Sequence, residues 1–294
     1  MFLIGLLAVG SSALAERAAA GSSDPIDTAS SEESTAAMSP KQIAEQAALP
    51  IFQAKTAAAD AFVRYQDGEI SADEFAKVDD AVFSQLGIAN PFASGSSMQA
   101  PAAVASSPVQ LGVSQAGQLQ SNWCGPAAAY EIMSYYGLWN SAYDGSSLSQ
   151  SQLSTSTYTG AGATGGTDFS TSAMPRALNR WRFGGAIGYV QVTPSSSADL
   201  FNRANYDITH NWPVADDMTE VYNGPHYNGH PNRTSDIKHW TVITGVWAGS
   251  GYGDLLYFAD SSTTVFPGAS AFFWYGIADA YARMTSPYTR GIVW

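Results

Sequence analysis

A chain of 294 residues can bury a substantial core and hold one large domain or two smaller ones. Its net charge of -12 is concentrated near the N-terminus, where residues 1–90 carry 13 acidic against 5 basic side chains. An acidic surface without basic patches argues against nucleic acid or anionic membrane as the main partner. The single cysteine excludes an intrachain disulfide and a cysteine-rich zinc site.

Met1–Ala15 is a hydrophobic run ending in Ala13-Leu14-Ala15, the small-x-small pattern of a secretory signal peptide, although the basic start of such a peptide is missing. The run is too short for a comfortable membrane span, and no other stretch offers one, so no transmembrane anchor is expected. Export to the cell surface or medium is the expectation. An unpaired cysteine in an exported protein calls for a reason, and a reactive thiol is one.

Residues 16–38 are rich in Ala, Ser, Asp and Glu without periodicity and read as a flexible acidic leader. From Ser39-Pro40 to Tyr65, apolar residues recur at helical spacing (Ile43, Ala47, Ile51, Ala54, Ala58, Phe62). Gln66-Asp67-Gly68 interrupts them. Ser71 with Glu74 forms a capping box that opens a second helix bearing Phe75, Val78, Val82 and Phe83. Residues 39–88 thus predict a helical hairpin, which could be a propeptide, an inhibitory cap or a docking accessory. Residues 89–107 are a Ser/Ala/Pro/Gly linker, and a second unit occupies 108–294.

That unit opens with Gln118-Leu119-Gln120-Ser121-Asn122-Trp123-Cys124-Gly125-Pro126-Ala127. Pro126 suits a first helical turn, and the run Ala127 to Tyr136 closes at Gly137. A thiol at a helix N-terminus feels the positive end of the dipole, which favours thiolate. Next comes a polar segment, 144–166, read as a surface excursion. Thr167-Asp168 can cap a helix over about 169–181, and Ala186–Thr193 reads as a strand. A helix from Ser197 to Thr209, an extended piece from Trp212 to Met218 and a surface loop over 222–238 complete the middle of the unit. Strand signals at 239–246, 255–260 and 270–275 follow, so helices come before strands. That order predicts an α+β domain with an antiparallel sheet.

Folding 239–246 against 255–260 as a hairpin makes His239 and Asp260 cross-strand neighbours. The carboxylate can then hold one imidazole nitrogen and leave the other to face a nucleophile. Cys124 supplies the thiol. Gln118 and the Cys124 N–H can donate to an oxyanion, with Gln120 an alternative donor. These residues, Gln118-x5-Cys124-Gly125-Pro126-Ala127, His239-Trp240-Thr241-Val242 and Asp260, resemble the bacteriocin-processing type of papain-like cysteine peptidase, in its free-standing secreted branch. The resemblance covers about residues 108–275. It implies a papain-like fold with a helical subdomain and an antiparallel sheet, Cys124 as nucleophile, His239 as base, Asp260 as its partner and Gln118 at the oxyanion hole. A peptide or protein is the implied substrate, with no cofactor. The double-glycine leader specificity of transporter-linked relatives is not implied, because no membrane domain or phosphate-binding motif accompanies these residues.

Other readings compete. His226-x3-His230, with or without His239, has the spacing of a zinc pair on a helix, but the local Gly, Asn and Pro make a helix poor there. Asn232-Arg233-Thr234 matches a glycosylation acceptor. The same thiol chemistry would serve an acyltransferase or amidase, and the fold could be retained as a silent binding module. The aromatic side chains near Trp123, Trp181, Trp212 and Trp240 fit either a core or an apolar subsite. Oligomeric state is not legible.

Overall fold

Pro50 divides the first helical run. A proline favours the first helical turn and pushes the preceding residue out of the helical region. Accordingly, in the computed structural model, helix α1 (Pro40–Ala47) ends before Leu49, which has an extended backbone, and α2 (Pro50–Gln66) starts afresh. Helix α3 (Ala72–Leu86) opens on the expected capping box, with Ser71 Oγ accepting from Glu74 N and the Glu74 carboxylate accepting from Ser71 N. The structure describes residues 36–90, 107–224, 226–231 and 235–294. The expected signal peptide, most of the leader and linker, and the Asn232 acceptor lie outside them.

Strand β1 (Val109–Gln110) precedes helix α4 (Cys124–Tyr135), then the short helices α5 (Gln150–Leu153) and α6 (Ala161–Thr164), and α7 (Ala173–Phe183). Strand β2 (Gln191–Val192) and helix α8 (Ser197–Thr209) lead to β3 (Val214–Glu220), β4 (Ile237–Ser250), β5 (Gly253–Ala259) and β6 (Phe272–Gly276). Helix α9 (Ile277–Thr285) and strand β7 (Gly291–Val293) close the chain. Single 3-10 turns occupy Phe169–Thr171 and Ser261–Thr264.

The strands form one open antiparallel sheet in the order β2-β7-β3-β4-β5-β6, with β1 added to β4. The long strand β4 organises it, pairing with β3 over seven residues and with β5 through the expected hairpin. Its first half is buried on both faces, from His239 to Val246, which explains a nearly continuous apolar run. Gly245 lets β1 close against this strand: a Cβ there would lie 2.7 Å from the Val109 carbonyl oxygen. Helix α4 packs on β4 and on the 261–264 turn, while α8 packs on β4, α9 and α2.

Three expectations are corrected. Segment 144–166 is no mere surface excursion, because Leu153, Tyr158 and Ala161 are fully buried and the Tyr158 hydroxyl donates to Asp144. The strand expected over 186–193 shrinks to two ladder residues. The Asn179 side chain replaces the missing ladder, accepting from Gly188 N and Tyr189 N and donating to Tyr189 O. The loop over 222–238 is not wholly on the surface either, since Tyr227 and His230 are buried. Trp181, Trp212 and Trp240 belong to the core.

Candidate active site

Cys124 is the first residue of α4, and the Trp123 N-cap provides no side-chain cap. The cysteine is buried, 4% exposed. Gly125 is required next to it, because a Cβ there would lie 2.0 Å from Thr167 Oγ1 and 2.4 Å from Thr167 Cβ. The chain before the cysteine is fastened on every side. Ala116 N donates to Glu131 Oε1, Gln118 N to the Ser261 carbonyl and Leu119 N to Gln150 Oε1. Gln150 also donates to the Gly117 carbonyl, and Thr264 Oγ1 to that of Gln118. Burial pushes the Glu131 carboxyl well above its usual range, against the pull of the Ala116 N–H. Glu131 is thus an anchor for this segment from inside the fold.

Gln118 is buried, and its side-chain amide donates to the carbonyls of Gln120 and Ser121, at 2.8 and 2.9 Å. Those carbonyls belong to the turn that enters Cys124. Gln120 is exposed.

His239 lies near the start of β4, opposite Met218 of β3, and is 3% exposed. Val242 pairs with Ala259, so His239 and Asp260 sit diagonally across the hairpin rather than face to face. Their side chains close the gap: His239 Nε2 is 2.8 Å from Asp260 Oδ1. This leaves Nδ1 of the ring outside that bond. Asp260 has no exposed surface, and every part of it is held. Oδ1 also accepts from Ser262 N, and Oδ2 accepts from Asn228 Nδ2 at 2.6 Å. His230 Nε2 lies 3.0 Å from the same Oδ2. The Asp260 carbonyl accepts from Gln115 Nε2. Burial alone would raise the Asp260 carboxyl, but the facing imidazoles of His239 and His230 outweigh it and hold the group well below the usual carboxylate range.

His230 and Asn228 carry no signal of this role in the sequence. Both sit in a Gly/Asn-rich turn without periodicity, and Asn228 takes a left-handed backbone, φ 52°. The i, i+4 spacing of His226 and His230 does draw attention to them, as a zinc pair on a helix. In the structure they occupy irregular backbone between β3 and β4, and the Glu220 carboxylate lies between them.

His230, His239 and Asp260 hold ligand atoms within 4.8 Å of one another, a donor set that can serve a divalent cation. The Asp260 bonding fits protons better. Its four acceptor directions meet two imidazole nitrogens, an amide and a backbone N–H, all at hydrogen-bond distance. Beside the Gln115 segment, an open groove of about 420 Å³ runs along α4, walled by Tyr130, Tyr135 and Trp139.

A search of curated proteins finds no match to this chain. Residues 110–282, more than half of the chain, match the model described as the Peptidase_C39 like family.

Proposed function

Because the chain belongs to the Peptidase_C39 like family, we propose that it is a cysteine peptidase working through Cys124, His239 and Asp260. The observation that carries this reading is the 2.8 Å bond between His239 Nε2 and Asp260 Oδ1, made to a buried carboxylate that stays ionised. A helical part beside an open antiparallel sheet suits a papain-like arrangement. In this reading the Nδ1 side of His239 serves the Cys124 thiol, and the N-terminus of α4 favours the thiolate.

The thiolate attacks the substrate carbonyl, and the developing oxyanion takes hydrogen bonds from the Cys124 N–H and from the Gln118 amide, which for this must release the Gln120 or the Ser121 carbonyl it holds in the resting site. His239 gives its proton to the leaving amine, which departs and leaves a thioester on Cys124. Water then attacks the thioester, with His239 taking its proton, and the acid leaves as the thiolate returns. Asp260 holds the ring and stabilises its charged form throughout. The fastened segment 115–119 supports Gln118 as the side-chain donor, with Gln120 exposed beside it. The substrate is a peptide or protein, and the aromatic-walled groove along α4 is a suitable contact for its apolar side chains. The N-terminal run Met1–Ala15 supports a secreted or cell-surface location. Among the described residues, no helix is long and apolar enough to cross a membrane.

Peptide-library digestion followed by mass spectrometry tests this reading. Wild type should cleave, and Cys124→Ala should bind peptide without cleaving it. A Cys124→Ala variant that cleaves as well as wild type would sink the proposal. Adding a competing amine separates hydrolysis from acyl transfer: free acid as the dominant product is expected, and an amide product would identify a transferase.

A further inference from the structure

The loop between β3 and β4 delivers a second histidine to Asp260. His230 is 5% exposed, and its Nε2 lies 3.0 Å from Asp260 Oδ2 and 2.8 Å from Ser262 Oγ. Its Nδ1 lies 3.1 Å from Glu220 Oε1, and His226 Nδ1 meets the other Glu220 oxygen at 2.7 Å. Imidazoles and carboxylates therefore alternate along one line: His226, Glu220, His230, Asp260, His239. A Cys-His-Asp mechanism requires only the last two.

Ionised carboxylates can only accept. A ring hydrogen-bonded to one carboxylate at Nε2 and at ion-pair distance from another at Nδ1 is matched best by the charged imidazolium. A neutral ring would aim one lone pair at a buried anion. Ser262 Oγ, 2.8 Å from Nε2, can share the Nε2 proton or donate to a neutral ring, but a neutral ring would still leave its Nε2 lone pair 3.0 Å from the Asp260 carboxylate. The His230 ring packs against those of Phe266, Tyr227 and His239, with centroids 4.6, 4.9 and 5.5 Å away. Burial, with Glu220, Asp260 and Asp216 nearby, keeps the Tyr227 phenol neutral, and the Arg283 guanidinium lies 5.5 Å from its ring centroid. Burial opposes the charge on His230, but Asp260 and Glu220 outweigh it and push the group up to about 9. The same contacts from His230 and His226 pull the buried Glu220 carboxyl down.

We infer that His230 is a positioning residue: as an imidazolium bridging Glu220 and Asp260, it fixes the Asp260 carboxylate and moderates the negative charge that His239 feels. The bridge stands on the 3.0 Å hydrogen bond at Nε2 and the 3.1 Å ion-pair distance at Nδ1. Its consequence for turnover rests on the peptidase reading. Asp260 by itself would hold the His239 proton strongly, and a second cation on the same carboxylate weakens that hold. His239 can then release its proton to the leaving amine more readily. Glu220 supplies the compensating charge that lets a buried cation persist beside the site.

Two measurements on the full chain test this. Two-bond proton–nitrogen NMR spectra of the four histidines, from about pH 6 to about pH 10, read protonation directly. The His230 ring, identified by the signals that vanish in His230→Gln, should carry protons on both nitrogens until about pH 9. A His230 ring that is a neutral single tautomer at pH 7 would overturn the bridge, and this reading needs no variant that folds poorly. The second measurement is Cys124 alkylation by iodoacetate, whose negative charge makes the rate fall when the neighbouring imidazolium is lost. In His230→Gln the alkaline limb should move up by about one pH unit, because the amide keeps a hydrogen bond and removes the cation. An unchanged limb with a lowered melting temperature would reduce His230 to a structural role and overturn the inference. A wild-type profile without a bell would overturn the peptidase reading and the tuning with it. The bridge itself would still be decided by the spectra.

Discussion

Asp260 presents two oxygens to four donors, and this is how a carboxylate with no exposed surface stays charged beside His239. Asp260→Asn keeps the shape but removes the charge that supports an imidazolium. Peptidase kcat/KM should fall by about 10²- to 10⁴-fold, with the melting temperature falling far less than the activity implies. The His230 bridge also makes a prediction about stability. Its folded value of about 9 lies above the ordinary histidine value of 6.5. Its contribution is therefore fully present below about pH 6.5 and is lost as pH rises through about 9. Urea unfolding should show wild type losing on the order of 3 kcal/mol across that window, with the slope flattened in His230→Gln. Equal slopes in the two proteins would contradict it. His239 and Asp260 were legible because strand alternation and a hairpin place them together without long-range knowledge. His230 was not, because a turn rich in Gly and Asn has no period, and its burial depends on β3, β5 and the 261–264 turn meeting around it.

Helix α4 shows how an element positions one side chain. Its first turn lies so close to Thr167 that residue 125 must lack a side chain, and the approaching atoms include Thr167 Cβ, which no rotamer change can move away. Gly125→Ala should destabilise the fold by about 1–3 kcal/mol in thermal unfolding and slow Cys124 chemistry by shifting the helix start. Thr167→Gly in the same chain should recover part of both, and a Gly125→Ala protein with native stability would contradict the tight approach. The helix was readable from Pro126 and Gly137, as α3 was from Ser71 and Glu74. Helix α9 and strand β7 were not anticipated. The three residues of β7 are too few for alternation to register, and they become a strand only because β2 and β3 flank them. The break at Leu49 was visible in Pro50 but masked by an apolar spacing that continued across it.

At the scale of the molecule, the helical pair α2–α3 is joined to the rest by buried charge as well as by apolar packing. Lys55 of α2 meets Asp207 of α8 at 2.9 Å, both almost fully buried, with the ammonium over the rings of Trp212 and Trp294. Asp79 of α3 accepts from the Tyr206 hydroxyl at 2.5 Å and lies 3.3 Å from His210 Nε2. Phe62, Phe75 and Phe83 surround the His210 ring. We propose from these contacts that the hairpin is a permanent part of the fold, with the propeptide and inhibitory-cap readings as the alternatives. Lys55→Met should lower unfolding free energy by about 3–5 kcal/mol, because it strands a buried carboxylate, and Lys55→Met with Asp207→Leu should recover most of that loss. Cutting an engineered protease site between Asn90 and Ser107 should leave the two pieces co-eluting on gel filtration. Dissociation with a gain in activity would establish the inhibitory-cap reading instead. The hairpin was legible as helices; its attachment was not, since Lys55 and Asp207 are 152 residues apart.

The central claim is that Cys124 is an activated thiol paired with His239, and its sole-cysteine chemistry makes the decisive measurement simple. Iodoacetamide labelling followed by intact mass, from about pH 5 to about pH 9, should be run on wild type and His239→Ala. An ordinary thiol titrates near 8.5 and should react about tenfold more slowly for each pH unit below that value. The account predicts fast wild-type labelling that persists to about pH 6 and is lost in His239→Ala. Labelling that follows an ordinary thiol titration, unchanged by the substitution, would contradict it.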